Sequence, residues 1–168
     1  YASAARVVES DVGDVERAIE LYGKVLQIQP QNLEAVEALR RLFQAAERYA
    51  EMSQILQRKA QVLDDPSEKK EALFSAASLE EEVLNRPEQA IGVYEAVLAI
   101  DPDDLKALEA LIGLYLSLGR WEELIATQQK KVDLVAEAEE KKAIYYQMGA
   151  VYERELKDIP RSIDTYQK

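Results

Sequence analysis

The sequence repeats itself without a gap at a spacing of 72 residues, and few folds tolerate such a period. VERAIELYGKVLQIQP at residues 15–30 returns as PEQAIGVYEAVLAIDP at 87–102, and PRSIDTYQK from residue 160 begins a third copy. Ala18, Ala90 and Ser162 are equivalent, as are Ile19, Ile91 and Ile163, and Tyr22, Tyr94 and Tyr166. Between them Leu33, Ala35, Ala38, Leu39, Leu42 and Phe43 match Leu105, Ala107, Ala110, Leu111, Leu114 and Tyr115. Arg48 and Tyr49 likewise match Arg120 and Trp121. About a third of the positions are identical at this offset, the mark of a stacked array of one supersecondary unit.

Each period divides into four helical stretches, expected at 15–28, about 33–46, about 49–63 and about 67–84. In the first, Ala18, Ile19, Tyr22, Val25 and Leu26 form an apolar stripe of helical period. The second buries Leu39, Leu42 and Phe43, the third Met52, Ile55, Leu56 and Ala60, and the fourth Leu73, Ala76, Ala77 and Leu79. The joints carry chemical punctuation. Pro30 and Pro102 stop helices, Asp103 and Asp104 offer N-cap oxygens, and Asp65-Pro66-Ser67-Glu68 is a start signal. Gly119 ends a helix ahead of Trp121. No stretch alternates with a period of two between turns, so the expectation is all-α.

Composition removes whole classes of function. The chain of 168 residues has no cysteine and no histidine, hence no thiol nucleophile, imidazole base, disulfide or ordinary zinc site. A net charge of −11 opposes nucleic acid and anionic membrane, which need a basic footprint, and no run approaches a membrane span. Neither phosphate-binding glycine motif occurs among the six glycines. The acidic runs Glu80-Glu81-Glu82 and Glu139-Glu140 read as solvated helix faces, and Asp101-Pro102-Asp103-Asp104 as capping rather than calcium binding. No catalytic residue, cofactor or metal is expected, and a chain without thiols selects no compartment. Tyr1 and the patterned PRSIDTYQK read as cuts in a longer chain.

Tyr145-x2-Met148-Gly149-x2-Tyr152, Ala90-x3-Tyr94 with Val97 and Pro102, and Leu108-x2-Leu111-x3-Tyr115 resemble the two halves of the tetratricopeptide repeat. The aromatic position runs Tyr22, Leu56, Tyr94, Gln128, Tyr166, alternating steps of 34 and 38, so every second repeat is four residues long for the family. The extra length is expected in the helix at 67–84 and its counterpart at 139–156, with the turns around them. The resemblance implies one right-handed α-solenoid of antiparallel helix pairs over 1–168. Its parts are a partial repeat 1–14, units 15–86 and 87–158, and a partial repeat 159–168.

It also implies a function. In that family the first helix of each pair lines a concave groove that binds peptides. By register the candidates here are Glu34, Glu37, Arg41 and Gln44, with Lys106, Glu109, Gly113 and Leu116 one period on. The longer repeats add Phe74 and Ser78, then Tyr146 and Ala150; Phe74 and Tyr146 read either as core or helix-contact filling or as ligand contacts. Tyr22, Tyr94, Tyr115, Tyr152 and Trp121 read as core, and Gln128 either as a tolerated exposed substitution for an aromatic or as a local adaptation. The leading expectation is a scaffold that takes a peptide or helical segment of a protein partner. The alternative is a structural spacer or rod that associates end to end with itself.

Overall fold

A computed structural model describes residues 14–168, which divide into two compact units, one running to Ile100 and the other Asp101–Lys168. The partial repeat expected at 1–14 lies, except for Asp14, outside the described residues. The first unit holds α1 (Val15–Ile28), α2 (Leu33–Ala45), α3 (Tyr49–Val62), α4 (Pro66–Ser78) and α5 (Pro87–Ile100). The second holds α6 (Leu105–Leu118), α7 (Trp121–Leu134), α8 (Ala138–Arg154) and α9 (Ile159–Tyr166). Among the described residues there is no strand. Within each unit every helix packs on its neighbour in sequence, as short turns between antiparallel helices require.

The helix ends follow the punctuation. Asp14, Asn32, Asp65, Asp104 and Asp158 each accept a backbone N–H of the following first turn through the side chain. Pro66 occupies the first turn of α4, where its missing N–H removes no intrahelical bond. Gly119 adopts φ 67°, and the Arg120 N–H closes back on the Tyr115 carbonyl at 2.9 Å. One period earlier the same closure joins Arg48 N–H to the Phe43 carbonyl, also at 2.9 Å. There the left-handed residue is Glu47, at φ 53°, a conformation that a side chain disfavours.

The fourth helix of the period is not one continuous α-helix. Past Ser78 the backbone widens into a π-turn, Leu79–Val83, in which the Leu84 N–H reaches the Leu79 carbonyl at 2.9 Å. Such wide turns accommodate inserted length without breaking a helix. In the second unit α8 stays α-helical to Arg154 and widens at its end, with Leu156 N–H on the Val151 carbonyl at 3.1 Å. Both copies then close through a left-handed residue, Asn85 (φ 52°) and Lys157 (φ 56°).

The core of the first unit joins the stripe of α1 (Ala18, Tyr22, Val25, Leu26) to Ala35, Val36, Ala38 and Leu39 of α2 and Ile55 of α3. In the second unit Ile125 and Val132 of α7 meet Ile144 and Met148 of α8. Neither helix buries its stripe alone. Of the expected core aromatics, Tyr22, Tyr94 and Tyr115 are buried, whereas Tyr152 and Trp121 are half-buried. Small residues sit where helices touch. A Cβ at Gly149 would lie 2.5 Å from the Tyr166 ring, and the Gly149 carbonyl accepts from Ser162 Oγ at 3.0 Å.

Two sequence readings are corrected. Gln128 is not exposed: it is 3% accessible, donates to Gln147 Oε1 at 3.2 Å and leaves its own Oε1 without a partner. Its period places it on the inward face of α7, so burial follows from position whatever the residue. Nor are the three glutamates a uniformly solvated face. The π-turn rotates Glu80 inward to 4% exposure, with Arg86 Nη1 3.9 Å away, and half-buried Glu81 accepts from the Tyr94 hydroxyl at 3.1 Å.

Candidate functional site

α2 and α4 are the helices that the register assigns to the inner surface in the first unit, and α3 lies between them in sequence. The three enclose a cleft of about 450 Å³. Leu33, Met52, Leu56 and Leu63 supply apolar lining, while Glu37, Arg40 and Lys59 line it with charge. Glu37 holds both cations, at 3.0 Å to Arg40 Nε and 2.6 Å to Lys59 Nζ. Burial works to raise its carboxyl, but the hydrogen bonds from Lys59 and Arg40 outweigh that, and the group lies below the ordinary carboxylate range.

Glu68 and Glu71 of α4 also line the cleft. Neither carboxylate has an ion-pair partner among the described residues. In the second unit the lysine equivalent to Lys59 behaves differently. Lys131 on α7 reaches Glu109 of α6 at 2.9 Å and also Glu140 of α8, the equivalent of Glu68, at 3.2 Å. The Glu109 hydrogen bond is the main reason its ammonium is held above the ordinary lysine range. The first unit leaves open what the second unit bridges.

The remaining candidates fall into several environments. Glu34, Arg41 and Gln44 are exposed on α2, and Gln44 accepts from Arg40 Nη1 at 3.3 Å. Half-buried Phe74 is turned toward the next helix, its ring 6.0 Å from that of Tyr94 at 61°. Ser78, also half-buried, ends α4. In the second unit Lys106, Glu109, Gly113 and Leu116 are exposed along α6, and Tyr146, 65% exposed, leans on Tyr166 at 5.5 Å. The cleft therefore brings Glu37 together with Arg40, Lys59, Glu68 and Glu71, four residues outside the candidate set. Arg40, Glu68 and Glu71 lie on the same two helices as the candidates, and only the side-chain directions separate them.

Among the described residues no three acidic groups are placed to hold a metal ion, and no helix is long and apolar enough to cross a membrane.

Residues 84–123 match the family model described as tetratricopeptide repeat. No curated protein sequence matches the chain at a significant level. Among solved structures the fold is similar to a crystal structure of MamA, with a TM-score of 0.51 at 20% identity over 92% of this chain and 86% of that one. It is also similar to PilF of Pseudomonas aeruginosa, with a TM-score of 0.51 at 15% identity over 99% of this chain and 78% of that one. At these identities the likeness is one of fold.

Proposed function

We propose that this all-α helical repeat protein, of which residues 84–123 match the tetratricopeptide repeat model, is a protein-interaction scaffold, without catalytic activity, that takes a peptide or helical segment of a partner on its inner helices. The observation that supports this most is the cleft of the first unit. It combines apolar lining with a glutamate already neutralised by Arg40 and Lys59, while two further carboxylates, Glu68 and Glu71, stay unpaired. An array that served only as a spacer has no use for an open anionic edge on this face. The partner segment that fits carries an apolar side chain for the lining and a basic side chain for Glu68 and Glu71. In the second unit, Lys106, Leu116 and Tyr146 of the inner helices are the corresponding contact residues.

Panning a displayed peptide library on the immobilised protein, then titrating the selected peptides, tests this. Basic residues should be enriched, and Glu68→Lys combined with Glu71→Lys should weaken binding at least about tenfold, about 1.4 kcal/mol, while circular dichroism stays helical. Undiminished binding by the folded double variant would remove the cleft from the reading. Concentration-dependent association in light scattering would then favour the self-associating rod.

A further inference from the structure

A second, larger cleft of about 960 Å³ lies in the first unit between α1 and α3, on a face of α3 other than the one turned to α4. Its floor is Leu26, Leu39, Phe43 and Ile55, each at most 8% exposed, so the floor is already packed and holds no empty pocket for a large anchor. What distinguishes the cleft is its wall. Gln27 in the last turn of α1 and Gln31 in the turn after it face Gln54, Gln57 and Gln61 spaced along α3. Gln57 donates to Ser53 Oγ at 3.2 Å; the side-chain amides of Gln27, Gln31, Gln54 and Gln61 have no partner among the described residues.

Two comparisons within the molecule set this wall apart from ordinary repeat surface. One period on, the same five positions are Ala99, Asp103, Ala126, Gln129 and Asp133, and there Gln129 is occupied by Asp133 at 3.1 Å. The architecture therefore does not demand amides here. The charge is also unlike the rest of the chain. In a protein of net −11 the lining carries one Glu51 and one Arg58, and both are engaged. Glu51 pairs with Arg48 at 2.6 Å, and Arg58 Nη2 donates to the carbonyls of Leu26 at 3.1 Å and Pro30 at 3.2 Å.

We infer that this cleft docks an extended, uncharged polypeptide segment of a partner, read through its backbone by the glutamine amides. A primary amide donates and accepts at one site, which matches the N–H and C=O of an extended chain. About six extended residues span the length of α3, about 21 Å for its 14 residues. With the floor closed, Glu51 paired with Arg48, and Nε and Nη2 of Arg58 held by carbonyls, the segment presents small side chains inward. A charged one would lose hydration for at most one further contact, to the remaining Arg58 nitrogen. The surface is separate from the cleft of α2–α4 and does not rest on that reading.

The probe is a capped nonapeptide of alternating threonine and alanine, titrated into the folded protein and followed by NMR of the glutamine side-chain amides. At about 1 mM peptide, the weak end of measurable association, the signals of Gln27, Gln54, Gln57 and Gln61 should shift. Replacing the threonines by glutamate or by lysine should lower affinity at least fivefold. The triple variant Gln54→Ala/Gln57→Ala/Gln61→Ala, at two exposed positions and one half-buried one, should lose binding at least tenfold while remaining helical. Glu68→Lys with Glu71→Lys should leave it unchanged. Equal binding of charged and uncharged peptides, loss in the Glu68/Glu71 variant, or silent amides would overturn the inference. So would shifts of the same amides by maltotriose in place of the peptide.

Discussion

The two units carry the same aromatic contact one period apart and use it to different depths. In the first, Phe74 meets Tyr94 and the Tyr94 hydroxyl donates to Glu81 at 3.1 Å; in the second, Tyr146 meets Tyr166 and the Tyr166 hydroxyl donates to Glu153 at 3.1 Å. The partners are preserved, yet the rings cross at 61° in the first pair and 44° in the second, and Tyr94 is 6% exposed against 42% for Tyr166. α5 has fourteen residues and packs on both α4 and its π-turn, whereas α9 has eight and packs on α8. In a repeat array, identity of contact is local, while the energy of a contact depends on how many neighbours complete its surroundings.

The sharpest way to break that comparison is to truncate both rings. Tyr94→Ala should cost about 3–5 kcal/mol, as the loss of a buried aromatic does, and Tyr166→Ala about 1 kcal/mol. Chemical denaturation reads both. Equal losses would mean that exposure does not set the value of this contact.

The equivalent positions Leu56 and Gln128 sharpen it next. Both are buried, at 4% and 3%. Leu56→Gln places an amide among apolar side chains and should cost about 2–3 kcal/mol. Gln128→Leu removes an orphaned oxygen and should stabilise by about 1 kcal/mol. Destabilisation by the second exchange would show that Gln128 has a role beyond filling its site.

A third test uses alkali. Burial, with Glu81 beside it, pushes the Tyr94 phenol up to about 12, so the folded protein favours its neutral form. That contribution is complete below about pH 10, where the phenol is neutral in folded and unfolded chains alike. It is lost as pH rises toward 12, with a slope of at most about 1.4 kcal/mol per pH unit. Urea midpoints between pH 9 and 12, as pH values chosen around the ordinary tyrosine range of about 10, should fall less steeply in Tyr94→Phe than in the unmodified chain. Parallel slopes would place the titration elsewhere.

The smallest effect separates the two left-handed helix ends. Glu47→Gly should stabilise α2 by about 1 kcal/mol, and Gly119→Ala should destabilise α6 by a similar amount, since only glycine holds a positive φ without steric cost. Thermal melts with opposite shifts would confirm it; shifts of one sign would show that solvation, not the backbone, controls these ends.

Much of the fold was legible because helices and their joints are specified by neighbouring residues. The stripe Ala18–Tyr22–Val25–Leu26, the caps at Asp65 and Asp104 and the stop at Gly119 each act within a turn or two. The register put the first-unit candidates on α2 and α4, and those two helices also line the cleft. Its membership was not legible: Arg40 and Ser75 line it while their neighbours Arg41 and Phe74 do not, because one residue turns a side chain by about 100° around a helix of 3.6 residues per turn.

What the sequence determined by itself, then, is the repeat, the helix boundaries other than the end of the fourth helix, and the absence of thiol and imidazole chemistry, all properties of spacing and composition. The tertiary structure decided which polar groups lost their water. Glu80 is turned inward by a π-turn whose place no residue pattern announces, and Gln128 is buried because α7 buries that position. Glu68 stays unpaired where its equivalent, Glu140, is bridged by Lys131. Pairing between side chains far apart in the chain depends on distances of a few ångströms that only the packing of helix on helix sets.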